Sequence, residues 1–137
     1  MINSLSQEQR ELLIDAAQQV RKWAYIPYSH YAVGAALLTA SGRVYDGVNV
    51  ENASFPLSNC AERTAIFKAV SEGEKEFLAI AVVTDNGGTP CGACRQVMAE
   101  FGMDTIVIIA DKDGMIKWEA PVAELLPGAF TPADLPH

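Results

Sequence analysis

Basic charge is in short supply. Ten Lys and Arg stand against 17 Asp and Glu in 137 residues, a formal net charge of −7. No positive field exists to gather a phosphate backbone, so a sequence-independent nucleic-acid binder is disfavoured. Long apolar runs are missing too: the longest, Phe77 to Val83, covers seven residues, whereas crossing a bilayer takes about 20. The stretch Met1 to Gln9 is polar, with neither the basic start nor the apolar segment of a secretory signal, and a cytoplasmic address is expected. Cysteine is scarce. An odd set of three, Cys60, Cys91 and Cys94, points away from a disulfide framework and toward metal binding or redox chemistry. Apolar content is ample: 50% of residues are hydrophobic and 20% charged, which excludes disorder and suits one domain spanning residues 1–137.

A capping box, Ser6 with Gln9, opens a helical pattern through Leu13, Ala16, Ala17, Val20, Trp23 and Ala24 that Pro27 stops. Tyr31 to Thr39 and Arg43 to Asn49, joined by Ser41-Gly42, read as a β-hairpin. Cys60 to Val70 is helical with Gly73 as its cap, Phe77 to Thr84 is a buried strand, and Asp85 to Pro90 is a Gly-rich loop. Cys91 to Phe101 suits a helix, Thr105 to Ala110 and Ile116 to Glu119 suit strands, and Val122 to Leu126 suits a short helix. Strands this apolar cannot leave one face wet, so the expected class is α/β, a mixed sheet with helices on both faces.

Cys91 and Cys94 are three apart where Pro90 favours a helix start, so their sulfurs can converge at a first turn. Cys60 opens the other predicted helix, and the positive end of each helix dipole favours thiolate over thiol. Three thiolates without a fourth Cys or a nearby His describe a zinc site with an open position, as catalysis needs. A Cys-x-x-Cys pair alone also suits redox chemistry or structural zinc. Glu62, two residues after Cys60, is placed to take a proton from metal-activated water. Three thiolates on a dication leave a net negative charge that opposes ionisation of that water, and Arg63 is the counter-charge, donating to the ligand sulfurs.

Cys60-Ala61-Glu62 together with Pro90-Cys91-Gly92-Ala93-Cys94 resembles the pattern of the zinc nucleoside and nucleobase deaminases. Ala24-Tyr25-Ile26-Pro27-Tyr28-Ser29, Val33-Gly34-Ala35-Ala36-Leu37, Asn49-Val50-Glu51-Asn52-Ala53 and Glu124-Leu125-Leu126-Pro127-Gly128-Ala129-Phe130 are similar to segments of the short, homotetrameric cytidine deaminases. The resemblance implies a three-layer α/β/α sandwich with a five-stranded mixed sheet, and one Zn²⁺ per chain held by Cys60, Cys91 and Cys94. It implies hydrolytic deamination of cytidine and deoxycytidine to uridine and deoxyuridine plus ammonia, in pyrimidine salvage, with zinc hydroxide attacking C4 of the base and Glu62 as proton shuttle. Arg63 would neutralise the thiolates, Asn49 and Glu51 would bind the ribose hydroxyls, and the Ala61 backbone would meet the pyrimidine carbonyl. Tyr31 would pack on the base, and Phe130 would reach the base of a neighbouring subunit, so that a homotetramer shares its sites. Such a protein needs a small-molecule nucleoside and no nucleic acid or membrane. Two positions depart from the pattern: Tyr31 stands where the family often has Phe, and Phe55, on the 5′-hydroxyl side, where it often has Tyr.

Two rival readings differ in chemistry. The same centre could act on another cytosine-bearing substrate or a polynucleotide base, against which Asn49-Val50-Glu51 and the missing basic face argue. A structural zinc in a binding module would need His30 or His137 as a fourth ligand.

Overall fold

The Ser6 hydroxyl accepts from the Gln9 amide at 3.1 Å, and the Gln9 side chain accepts from the Ser6 amide at 2.8 Å, which starts helix α1 (Gln7–Val20) as its capping box predicts. These coordinates come from a computed structural model that describes residues 5–136. The helix ends sooner than the apolar spacing predicts. Arg21–Trp23 tightens into a 3₁₀ turn and Trp23 is 71% exposed, because the Tyr25 amide is taken by the Asn49 carbonyl at 3.0 Å and the chain leaves the helix axis before Pro27.

The remaining elements follow the predicted order: β1 (Gly34–Thr39), β2 (Val44–Val48), α2 (Ala61–Ser71), β3 (Phe77–Val83), α3 (Gly92–Phe101), β4 (Ile106–Ala110), β5 (Ile116–Pro121) and α4 (Val122–Leu125). Strand β1 starts at Gly34 rather than Tyr31. The backbone before it is bound by side chains instead of a neighbouring strand: Asn49 Nδ2 donates to the Tyr31 carbonyl, Arg21 Nε to the Ala32 carbonyl, and the Val33 amide donates to Asn49 Oδ1. Past α2, Gly73 adopts φ +91° and its amide bonds to the Val70 carbonyl, so the expected cap is present.

The five strands form one mixed sheet in the order β2-β1-β3-β4-β5, with β3 and β4 parallel and the other neighbours antiparallel. Side chains alternate between two cores. Ala35, Leu37, Ile80, Val107 and Ile109 pack under α2, α3 and α4, whereas Ala36, Leu38, Ala81, Val83 and Ile108 pack against Leu13, Ile14 and Ala17 of α1. The result is the expected α/β/α sandwich.

Helix α2 lies unusually close to β2. A Cβ at Gly47 would stand 2.6 Å from the Ala65 nitrogen and 2.8 Å from the Ala61 oxygen, so this glycine lets the first turns of α2 sit on the sheet. Gly47→Ala should therefore destabilise the protein by about 1–3 kcal/mol, the usual cost of overpacking. Gly92→Ala, where a Cβ meets nothing within 4 Å, should leave the urea midpoint unchanged or slightly higher. Equal midpoints for Gly47→Ala and the native chain would mean that α2 can shift freely.

Candidate active site

Cys60 and Cys91 are the N-cap residues of α2 and α3, both with extended backbone and neither spending its side chain on a capping bond. Cys94 follows in the first turn of α3 and is buried, Cys60 is half-buried and Cys91 is exposed. The three sulfurs lie within 4.8 Å of one another. Pro90 immediately precedes the N-cap, in keeping with the helix start expected at Cys91. Its carbonyl accepts from Arg95 Nε at 2.8 Å, and Arg95 Nη1 donates to the Leu125 carbonyl at 2.7 Å, so the guanidinium, as well as proline, fixes the approach to Cys91.

The donors fit one soft cation. Tetrahedral bonding with Zn–S near 2.3 Å separates two sulfurs by about 3.8 Å, and Cys60 and Cys91 are 3.8 Å apart. Arg63 Nη2 donates to Cys60 Sγ at 3.2 Å, while its buried Nε has no hydrogen-bond partner, so the charge is turned toward the sulfurs. Hydrogen bonding from Cys94, followed by Arg63, brings Cys60 down to about 5. Cys94 moves the other way, through its bond to Cys60 and then its burial. The thiols titrate as one coupled cluster beside Arg63, and a bound dication would favour the thiolate form of all three. His30 is exposed and takes no part in the cluster, and His137 lies outside the described residues, so the fourth protein ligand that structural zinc requires is missing among the described residues.

Glu62 is 4% exposed in the first turn of α2, and its carboxyl is pushed up to about 7, chiefly by burial and further by the Cys60 charge. Over the cluster opens a cavity of about 550 Å³ at the carboxyl end of β3, within the size range of small-molecule sites. Tyr31, Asn49, Glu51, Cys60, Glu62, Arg63 and Cys91 all line it. Besides facing the cavity, Asn49 and Glu51 shape its rim. Asn49 bonds the Val33 amide and the Tyr31 carbonyl, and Glu51 accepts from the Tyr28 and Ser29 amides and from the Ser29 hydroxyl. These bonds, the Ser29 hydroxyl foremost, hold Glu51 below the usual carboxylate range.

Three expected residues are not on the wall: Cys94, which is buried, Ala61 and Phe130. Ala61 is fully buried as the first residue of α2, and Phe130 is 56% exposed, its carbonyl accepting from Gln96 Nε2 at 2.8 Å. Sequence reasoning missed Ser29, Ser58, Asn59, Thr84, Gly88 and Thr89 as lining residues; Val33, Phe55, Pro56 and Val82 supply the apolar part of the wall. The missed residues are small polar loop residues with no distinguishing pattern, and only the folding of the loops brings them together.

A helix-flanked mixed sheet with two helix N-termini meeting at a three-cysteine cluster beside a buried carboxyl fits a zinc-dependent hydrolase. The profile described as the cytidine and deoxycytidylate deaminase zinc-binding region matches residues 7–110, and the chain belongs to that family. Its metal is zinc, for which the three cysteines are the ligand set placed together. The chain is 56% identical over 129 residues to a cytidine deaminase of Halalkalibacterium halodurans, covering 92% of this chain and 97% of that one. It is 51% identical over 130 residues to a cytidine deaminase of Sporosarcina psychrophila, covering 93% and 95%. The crystal structure of cytidine deaminase from Burkholderia pseudomallei superposes with a TM-score of 0.84 at 49% identity, covering 88% of this chain and 98% of that one.

Metal binding requires deprotonated thiols, and Arg63 stabilises that state. Replacing it by Gln should weaken zinc binding about 10- to 100-fold near neutral pH, the usual effect of losing a group that supports the ligands. The sign of the pH dependence follows: without the cation the thiol pKa rises, so the deficit is largest in acid and narrows in alkali. Chelator competition against pH for both proteins measures it, and parallel curves would show that Arg63 does not act on the thiolates.

Proposed function

We propose that this protein is a cytidine deaminase, hydrolysing cytidine and deoxycytidine to uridine and deoxyuridine with release of ammonia. The observation that carries the reading is the buried Glu62 carboxyl in the same cavity as the cysteine cluster. Zinc, when bound, supplies the Lewis acidity that makes water nucleophilic near neutral pH. A carboxyl titrating at about 7 exchanges its proton readily near neutral pH, which suits Glu62 to protonate N3 of the ring and then the departing amine. Arg63 offsets the thiolate charge. Asn49 and Glu51 bind the sugar hydroxyls, the Tyr31 ring packs on the base, and the Ala61 amide, unpaired within its helix as a first-turn donor, meets the pyrimidine carbonyl.

The chain acts as one domain, residues 1–137, in a homotetramer with shared sites. The exposure of Phe130 away from its own cavity supports its reaching a neighbour's, and exposed Trp23, Tyr25, Phe55 and Phe67 offer apolar surface for association. A free nucleoside carries no phosphate, and a net charge of −7 suits that substrate better than a nucleic acid. The enzyme works in the cytoplasm, in pyrimidine salvage: its three free cysteines stay reduced there, and no helix among the described residues is long and apolar enough to cross a membrane.

Glu62→Gln should retain zinc, about one ion per chain, yet lose on the order of 10²-fold or more in turnover, the typical worth of a positioned acid-base group. Ammonia release from cytidine, with zinc quantified in the same samples, is the measurement. Near-native turnover in the zinc-loaded variant would remove Glu62 from the chemistry.

A further inference from the structure

We propose that Tyr31 is a positioning residue whose hydroxyl latches the 84–90 loop to the opposite wall of the substrate cavity through Asn86. The proposal rests on the deaminase reading for its effect on substrate, and on this chain's own geometry for the latch. Tyr31 Oη donates to Asn86 Oδ1 at 2.6 Å, and the Thr84 hydroxyl donates to the same oxygen at 3.4 Å. Thr84 Oγ1 in turn accepts from the Gly88 amide at 2.8 Å. Donors and acceptors therefore run in one consistent direction through the loop. A Cβ at Gly88 would stand 2.8 Å from Tyr31 Oη, so the loop comes this close to the hydroxyl because residue 88 is glycine.

One residue along each segment lies a second tie. Arg21 Nε donates to the Ala32 carbonyl at 3.2 Å, and its Nη2 pairs with Asp85. Residues 31 and 32 on one side are thus joined to 85 and 86 on the other by adjacent bonds, which sets the relative register of two segments with no regular secondary structure. Both segments face the substrate space: Tyr31, Thr84, Gly88 and Thr89 line it, and the loop runs on into Cys91. A phenylalanine at position 31 would present the same ring and leave the loop tied through Arg21 alone.

The latch shapes the binding space without touching the groups that move protons. Glu62 and Arg63 ride on α2, and Cys91 is held independently by the bond from Arg95 to the Pro90 carbonyl. Its loss should appear in KM and leave kcat nearly alone.

The test is a double-mutant cycle of Tyr31→Phe and Asn86→Leu, with Asn86→Asp as the variant that keeps the acceptor. Each of the first two should raise KM for cytidine about 2- to 10-fold, the range of one hydrogen bond, with kcat and zinc content near native. The double variant should be no worse than the poorer single, because both remove the same bond. Asn86→Asp should stay near the native KM. Hydrogen exchange of the 84–90 amides, measured without substrate, should quicken in Tyr31→Phe and at least as much in Asn86→Leu, which also loses the Thr84 bond, with the double variant no faster than Asn86→Leu. Additive losses in KM, an unchanged KM in Tyr31→Phe, or unchanged loop exchange would overturn the latch. Native enzyme that releases no ammonia from cytidine would instead overturn the deaminase reading, and loop exchange would still decide the latch.

Discussion

Three sulfurs held within 4.8 Å of one another repel strongly once ionised, and the protein must offset that charge before any metal arrives. It does so with the Arg63 guanidinium and with the positive ends of two helix dipoles. Cys60 and Cys91 cap two different helices, and Cys94 lies in the first turn of one of them, so unpaired amides and dipole ends of two helices face the thiolates. The only side-chain cation hydrogen-bonded to these sulfurs among the described residues is Arg63. Everything that brings the starts of α2 and α3 together is in this sense part of the metal site.

The sheet performs that task. Parallel pairing of β3 with β4 requires a crossover, and α3 is that crossover, so its start necessarily lies near the carboxyl end of β3. Helix α2 reaches the same end by resting on Gly47 of β2, where any side chain would collide with its backbone. Strands apolar on both faces allow α1 to cover one side and α2, α3 and α4 the other. The cavity opens where the strands end, and its walls are loops tied by Asn49, Glu51, Arg21 and Tyr31 rather than by regular structure.

Sequence patterns were most legible where the physics is local. The Ser6–Gln9 capping box, the Gly73 cap and the continuous apolar strands each depend on neighbours a few residues away, and each is found in the fold. Patterns failed where a distant group competed. Helix α1 stops at Val20 because Asn49, far along the chain, draws Tyr25 away. The three residues expected to begin β1 are bonded by Arg21 and Asn49 side chains. Trp23 fits the helical period and is nevertheless exposed, since the stripe of Leu13, Ile14 and Ala17 already covers that part of the sheet.

The cysteine spacing, the carboxyl two residues after Cys60 and the arginine beside it were readable from residue order alone, because helix periodicity places neighbours at a first turn in a known way. From order alone it also followed that three thiolates need one cation and leave a position open. Only the tertiary structure decided that Cys60 meets Cys91 at 3.8 Å and that Glu62 is buried enough to titrate near 7. It alone decided that Tyr31 reaches Asn86 across the cavity. Distances between separate elements and the dielectric around a carboxyl are properties of packing, and packing sums contributions from the whole chain that no short window of sequence contains.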